Sequence, residues 1–265
     1  MRFMTIASGS SGNCIYVGSD NTHILIDAGV SKKKICEGLK AADLDISDIS
    51  AVFITHEHID HVKGAGVLMR GSEIPFYGTS GTLKAMGYNK SLGPLSSDRM
   101  CTIDKHSPVY IGDLCIEACH ISHDASDPVA YTVSGEKEKA GVVTDLGDFD
   151  EEIVEHMSGC DVFLAEANHD IRMLETGPYP YALKRRILGD RGHLSNEASG
   201  DLINALLNDH IKAVFLGHLS KENNYDRLAY ETVRQSIDAA PHGYRAGDFH
   251  IEVAKRDTPS TIIEV

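Results

Sequence analysis

The chain has 265 residues and a mass of 28.8 kDa, and its hydrophobic share of 42% and charged share of 24% are typical of a globular protein. This composition excludes a disordered or fibrous chain. With 39 acidic and 25 basic residues, the formal net charge is −14. Such a charge argues against general electrostatic attachment to nucleic acid or to an anionic membrane, but it leaves room for a local basic groove.

The predicted elements begin with strands and end with helices. The first third predicts strands at residues 2–7, 14–18 and 23–27, a helix from Ser31 as N-cap to about residue 39, a strand at 51–55 and a helix at about 61–70. The middle predicts strands near 75–77, 109–111, 114–121, 129–133 and 140–144. The last part predicts helices at 150–157, 181–188, 195–208 and 225–239, interleaved with strands at 162–166 and 213–217. Residues 261–265 are either a last edge strand or a contact with a second subunit.

This order predicts an α/β fold of layered sheets covered by helices. The sequence shows no internal repeat and no long linker, so we expect residues 1–265 to form one domain. It has no run of about 18 apolar residues and no signal-peptide layout at its start, and the interpretation is a cytoplasmic protein without a membrane partner. Six cysteines without a Cys-x-x-Cys pair predict reduced thiols, and for Cys115 and Cys119 core packing is favoured over metal binding.

Residues 55–61, Thr-His-Glu-His-Ile-Asp-His, carry the strongest chemical signal. Three imidazoles and a carboxylate, those of His56, His58, Asp60 and His61, fall between a predicted strand and a predicted helix. Imidazole and carboxylate are the ligands that zinc, manganese and iron prefer, and alternate side chains of one loop can be aimed at two adjacent points. The spacing therefore predicts a site for two metals.

The pattern His56-x-His58-x-Asp60-His61 resembles the signature of the metallo-β-lactamase superfamily of binuclear metallohydrolases. The other positions of that pattern are also filled: the early one by Asp27 in Leu-Ile-Asp-Ala-Gly, and the later ones by His123 in Ile-Ser-His-Asp, Asp145 in Val-Thr-Asp-Leu-Gly and His218 in Phe-Leu-Gly-His. The resemblance implies a four-layer αββα sandwich, in which two mixed sheets are flanked by helices.

The resemblance also implies a set of metal ligands. His56, His58 and His123 would hold the first metal, Asp60, His61 and His218 the second, and Asp145 would bridge the two. The cofactors would be two divalent ions, zinc or manganese, with iron or nickel as alternatives. His120 follows the same strand as His123 and is the weaker candidate. Asp27 would orient the histidine loop by hydrogen bonding.

Four further stretches, at residues 7–13, 166–170, 192–196 and 218–224, resemble the YycJ/WalJ-like branch of the superfamily. That branch is associated with nucleases and phosphodiesterases. Related nucleases carry an additional β-CASP domain, but the interval between Asp145 and His218 is too short to hold one.

A phosphodiesterase needs both a nucleophile and a proton donor for the departing oxygen. The resemblance implies a metal-bridging hydroxide that Asp60 would orient, while His193 is placed to give the proton and Glu166 to hold its ring. In the alternative for His193, the ring only caps its loop.

Substrate contacts are predicted from local charge and aromatic residues. Lys184, Arg185 and Arg186 fall near Tyr179 and Tyr181, although the three cations cannot all face one way on a helix, and a solvated amphipathic helix explains them equally well. The remaining candidates are Ser10, Asn13, Asn168, His169 and Lys221.

The sequence thus predicts a binuclear metal-dependent phosphodiesterase that cleaves DNA or RNA, with an exonuclease as the favoured form. Two alternatives stay open: a hydrolase of small cyclic phosphodiesters, thioesters or lactones, and a metal-binding scaffold without activity. A homodimer is also left open by the sequence.

Overall fold

Two β-sheets of seven strands each form the centre of the molecule in the computed structural model, which describes residues 1–105 and 107–265. The first sheet has the strand order β14-β1-β2-β3-β4-β5-β6. Its strands are β1 (Arg2–Ala7), β2 (Cys14–Gly18), β3 (His23–Ile26), β4 (Ile49–Phe53), β5 (Phe76–Thr79), β6 (Met100–Ile103) and β14 (Ile263–Glu264). The pairs from β14 to β3 are antiparallel, and those from β3 to β6 are parallel.

The second sheet likewise has an antiparallel half and a parallel half. Its order is β13-β12-β11-β10-β9-β8-β7, with antiparallel pairs from β7 to β10 and parallel pairs from β10 to β13. Its strands are β7 (Val109–Ile111), β8 (Leu114–His120), β9 (Val129–Ser134), β10 (Lys139–Val143), β11 (Val162–Glu166), β12 (Ala213–Gly217) and β13 (His250–Val253).

The described part of the chain contains nine α-helices. They are α1 (Lys32–Leu39), α2 (Ile59–Val62), α3 (Ala65–Arg70), α4 (Ser80–Tyr88), α5 (Glu151–Met157), α6 (Ile171–Thr176), α7 (Tyr181–Ile187), α8 (Asn196–Leu206) and α9 (Asp226–Ala239). Side chains of α1, α3 and α4 pack with the first sheet, and those of α5, α8 and α9 with the second.

Alternation along the strands produces the layers. In β12, Phe215 points between the two sheets, while Val214 and Leu216 point toward the helices. Phe215 stacks on Phe3 of the first sheet at a centroid distance of 5.3 Å. Because successive side chains of a strand point to opposite faces, each fully apolar strand supplies two cores at once. The predicted αββα sandwich is confirmed.

The structure differs from the predicted elements at several places. The helix expected at 61–70 is split into α2 and α3 at Gly64, where the chain lies so close to the 28–30 loop that a Cβ would stand 2.0 Å from the carbonyl oxygen of Val30. Residues 263–264 form an edge strand against β1. Four elements were not predicted: α4, α6, β6 and β13. Among the described residues, no helix is long and apolar enough to cross a membrane.

Candidate metal centre and active site

The predicted ligands lie where strands of both sheets end. Asp27 directly follows β3, residues 55–61 follow β4, His123 and Asp145 come shortly after β8 and β10, and His218 directly follows β12. The carboxyl ends of neighbouring parallel strands meet at one edge of a sheet, and here the edges of the two sheets face each other. Residues that are as far apart in sequence as Asp60 and His218 are thereby brought together.

The backbone itself turns sharply at these strand ends. In the described chain, four non-glycine residues have positive φ, and three of them are site residues: Asp27 (63°), Asp145 (58°) and His218 (53°). The left-handed region is uncommon for residues with a Cβ, and Asp and His are among the types found there more often. It costs on the order of 1–3 kcal/mol per residue and is held in place by surrounding structure.

The first cluster consists of His56, His58 and His123. The ligand atoms of these three side chains lie within 4.8 Å of one another. His123 Nε2 is 3.3 Å from His58 Nδ1, and the buried Nε2 of His56 has no hydrogen-bond partner. Burial lowers the pKa of His56 well below its usual value, and burial also lowers that of His123. Neutral imidazoles that converge with an unpartnered nitrogen fit a divalent ion.

The second cluster is formed by Asp60, His61 and His218, and Asp145 lies between it and the first. His61 Nε2 is 2.8 Å from Asp145 Oδ2, and His218 Nε2 is 3.2 Å from Asp60 Oδ2. His56, His61 and Asp145 also form a group that could hold an ion. The donor set of nitrogen and carboxylate oxygen thus fits two neighbouring divalent cations that share Asp145.

These histidines and carboxylates affect each other's pKa strongly. Burial lowers the pKa of His218, but Asp145, Asp60 and Glu166 outweigh burial and raise it to about 10. For Asp145, burial opposes ionisation, yet His218 and His61 hold its pKa well below the usual range. Carboxylate charge is therefore present at neutral pH, and bound cations would replace the imidazole protons as its partners.

Asp27 lies behind the histidine loop and accepts three hydrogen bonds from it. Its Oδ2 accepts from His61 Nδ1 at 2.6 Å and from Thr55 Oγ1 at 2.9 Å, and its Oδ1 accepts from the Thr55 N–H at 2.9 Å. His61 Nδ1 is thus occupied, and Nε2 is the nitrogen left to face the centre. A carboxylate behind a metal-binding imidazole fixes its tautomer and orientation.

Glu166 joins two imidazoles at the side of the clusters. Its Oε1 is 2.8 Å from His193 Nδ1 and 2.9 Å from His218 Nδ1, and its Oε2 accepts from the N–H of Leu146 at 3.0 Å. Burial lowers the pKa of His193, but Glu166 and Asp145 outweigh burial and raise it. Both carboxylates therefore favour the protonated form of His193, and its second nitrogen is free of Glu166.

A cleft of about 260 Å³ opens above these groups. Its lining includes two predicted metal ligands from each sheet together with residues of α7 and of the loop after β12. The full lining is Ser10, His58, Asp60, Asp145, Asn168, Tyr179, Leu183, Arg186, Ile187, His193, His218 and Ser220.

Only some of the predicted substrate contacts line the cleft. Ser10 and Asn168 line the cleft. Asn13 does not line it, because this buried side chain lies behind the Gly-rich loop, where its Oδ1 accepts from the Gly9 N–H at 2.8 Å and its Nδ2 is 3.0 Å from His61 Nε2. His169 is also buried outside the cleft lining, and neither of its ring nitrogens has a partner.

The predicted basic cluster is divided as well. Arg186 reaches the cleft, but its guanidinium donates to both carboxylate oxygens of Asp124, with Nη2 2.9 Å from Oδ1. Lys184 donates to the carbonyl of Glu175 at 2.7 Å. Arg185 and Lys221 are exposed and do not line the cleft. The cluster therefore does not form one continuous phosphate track.

Three residues that line the cleft, Leu183, Ile187 and Ser220, were not predicted from the sequence. Leu183 and Ile187 are four residues apart on α7, and that spacing was the available signal for an apolar wall. Ser220 gave no signal beyond its place after His218.

Of the two histidines considered as ligands, His123 is buried in the first cluster and His120 is exposed at the end of β8.

Comparison with known proteins agrees with the geometry. The model of the beta-lactamase superfamily domain matches residues 22–218. An exodeoxyribonuclease YycJ of Bacillus anthracis is 37% identical over 243 residues, which cover 92% of this chain and 91% of that protein. An exodeoxyribonuclease WalJ of Streptococcus pneumoniae serotype 2 (strain D39) is 36% identical over 264 residues, covering 100% of this chain and 98% of that protein.

A solved structure shows the same fold. Zn²⁺-bound PqqB from Methylobacterium extorquens superposes with a TM-score of 0.72 at 16% identity, and the match covers 100% of both chains. The chain therefore belongs to the metallo-β-lactamase superfamily and, within it, to the family of the YycJ and WalJ proteins.

Proposed function

We propose that this chain is a binuclear metal-dependent phosphodiesterase that degrades nucleic acid, with DNA as its first candidate substrate and removal of nucleotides from an end as its mode. One observation carries the proposal: two sets of metal-binding side chains meet at Asp145, beside the paired His193 and Glu166. The relatives named exodeoxyribonucleases, which match nearly the full chain, support DNA as the substrate.

We assign the two clusters to two ions, zinc or manganese, with Asp145 shared. When bound, the ions would supply a water of lowered pKa and positive charge for the phosphoryl oxygens. Asp60 lies on the cleft side, with its Oδ2 3.2 Å from His218 Nε2. From that place its carboxylate can orient the attacking water and accept its proton.

His193 is proposed as the donor of a proton to the departing oxygen. It lines the cleft, and its Nδ1 is held by Glu166, so Nε2 is the nitrogen that can deliver a proton to substrate. Glu166 acts through His193 as a positioning residue, because its own oxygens are buried and engaged.

The test is hydrolysis of end-labelled single-stranded DNA and RNA by purified protein, with metal content measured and zinc and manganese each supplied. Asp60→Ala is expected to abolish shortening of the labelled strand. Asp201→Ala, at an exposed position on α8, is the matched control and is expected to keep full activity. Full activity of Asp60→Ala would refute the mechanism.

Two bound ions without cleavage of either polymer would instead favour a small phosphodiester, thioester or lactone as the substrate.

We further propose that residues 1–265 work as one domain without a β-CASP insert, since both sheets contribute ligands. The cytoplasmic location and the homodimer stay predictions.

A further inference from the structure

The segment that connects β13 to β14 carries Arg256, which lines a second pocket together with Ser8 and Leu219. The Arg256 side chain lies over the Gly-rich first loop: a Cβ placed on Gly9 would stand 3.0 Å from its Nη1 and 3.2 Å from its Cγ. Its Nη2 donates to the carbonyl of Leu219. Ser10 and Ser220, the next residues of these two loops, both line the cleft.

Arg256 differs from the cations around it in its partners. Lys34 Nζ lies 2.9 Å from Asp257 Oδ1, Lys255 pairs with Asp226, and Arg186 pairs with Asp124. In the part of the chain that the structure describes, the Arg256 side chain forms no ion pair, and its one hydrogen bond is to a neutral carbonyl, while the backbone carbonyl of Arg256 accepts from Lys34 Nζ. It is only partly exposed.

A half-buried guanidinium without a direct ion pair carries a desolvation cost that a bound anion would offset. Four of its five N–H donors are not used by the bond to Leu219. Burial lowers the pKa of Arg256, while Asp226, Asp257 and Tyr179 act in the opposite direction. An arginine side chain stays charged under all such conditions, and its planar fork matches two phosphate oxygens.

We propose that Arg256 binds a backbone phosphate of the nucleic-acid strand, next to the phosphate that occupies the metal centre. The proposal rests on the proposed nuclease function, and it adds a substrate-binding residue outside the segment 22–218 that the superfamily model matches. The strand would pass from the cleft between Ser10 and Ser220 to Arg256. This arrangement supplies locally the positive charge that a chain of net charge −14 lacks overall.

The experiment compares Arg256→Met with Arg245→Met in the metal-loaded full chain. Arg245 is exposed and precedes β13, whose carboxyl end is the one nearer the site, so it lies toward the opposite edge of the sheet. Two substrates are used: an end-labelled single-stranded DNA, and bis(p-nitrophenyl) phosphate, which has a single phosphate.

For Arg256→Met we expect the KM for DNA to rise about 10-fold, in line with loss of one charge-assisted contact. The slope of log(kcat/KM) against log salt should become shallower by about 0.7, the value for one phosphate contact on a single strand. Hydrolysis of the small ester and the metal content should stay unchanged. Arg245→Met should match the wild-type protein in all four measurements.

Equal KM and salt slope in the two variants would overturn the proposal. So would a parallel loss of small-ester hydrolysis in Arg256→Met, because Arg256 would then only support the Gly9 loop. A wild-type protein that hydrolyses the ester but no nucleic acid would overturn the nuclease function first, and this phosphate contact with it.

Discussion

At the scale of single residues, the site depends on side chains whose backbone is held in an uncommon conformation. Asp27, Asp145 and His218 all combine positive φ with burial and with bonds to other site residues. The surrounding bonds, such as those from Thr55 to Asp27, hold the conformation and the side-chain direction together. The fixed backbone at these three positions therefore fixes the direction of each side chain toward the site.

Asp27→Asn is expected to weaken metal binding by about 10- to 100-fold, because an amide has one acceptor oxygen and its NH2 group would face either the Thr55 N–H or the donors of His61 and Thr55 Oγ1. Asn tolerates positive φ, so the backbone is preserved. Asp43→Asn is the matched control: Asp43 also has positive φ (57°), but it is exposed and away from the site. Metal titration against a competing chelator measures both. Equal affinities in the two variants would contradict the role of Asp27.

His193→Gln is expected to lower kcat by about 10²- to 10⁴-fold, the range for loss of a general acid, while both metals stay bound. His193 lines the cleft and belongs to neither cluster that we assign to an ion. Its Nδ1 faces a further possible ligand group with Asp145, Glu166 and His218, but Glu166 holds that nitrogen at 2.8 Å. Measurement of kcat and of metal content on the same sample separates the two effects. Loss of one ion equivalent would show that His193 is a ligand instead.

At the scale of elements, the wall formed by Tyr179 and α7 faces the metal centre with one aromatic and two aliphatic side chains. Such a surface suits a nucleobase, since bases stack on aromatic rings at about 1–3 kcal/mol each. Tyr181, two residues on, is 76% exposed and does not line the cleft.

Tyr179→Ala is accordingly expected to raise the KM for single-stranded DNA about 10-fold, because one stacking contact is lost. Tyr181→Ala should leave it unchanged. Steady-state kinetics on one oligonucleotide compares them directly. A larger effect of Tyr181→Ala would place the strand on the outer face of α7 rather than in the cleft.

The elements also show why the sequence predicts some features and not others. Apolar runs such as residues 162–166 and 213–217 are recognisable as strands from the sequence alone. The histidine motif is also recognisable, because its residues are close together in the chain. By contrast, α4 contains Gly81 and Gly87 and depends on Thr79 as its N-cap, and α6 is only six residues long. The pairing of β12 with β13 joins segments that are 37 positions apart in register, from Ala213 to His250, and β13 has no strong apolar run of its own.

The candidate site was more predictable than its surroundings. Ligand types and order are visible in sequence, so His56, His58, Asp60, His61, His123, Asp145 and His218 could be named before their positions were known. The cleft walls were harder to predict, because Ser220 has ordinary local sequence and only the four-residue spacing of Leu183 and Ile187 indicated an apolar wall. Their placement follows from how α7 and two loops pack over the strand ends.

At the scale of the whole molecule, the candidate centre connects the two sheets. Asp60 and His61 come from the first sheet, while His123, Asp145 and His218 come from the second. Ions bound to both sets would hold the sheets together at this edge. Binding to the folded state alone stabilises it by about 2.7 kcal/mol when free ligand is 100 times Kd.

Removal of metal by a chelator is therefore expected to lower Tm by about 5–10 °C for each ion, using about 2–4 °C per kcal/mol for a chain of this size class. Calorimetry with and without chelator measures the change, and re-addition of zinc or manganese should restore Tm. Asp145→Asn should show a smaller response, because both ion positions lose a shared ligand. An unchanged Tm in the wild-type protein would show that the ions contribute little to the fold.

The division of each sheet into an antiparallel half and a parallel half has a consequence for the order of folding. The strands of the antiparallel halves, β1 to β3 and β7 to β10, are neighbours in sequence, so their hairpins close short loops and we expect them to form early. The parallel pairs and the contact between the sheets close longer loops, and we expect them to form late. All the predicted ligands converge only after that step, and uptake of metal would report that the chain has finished folding.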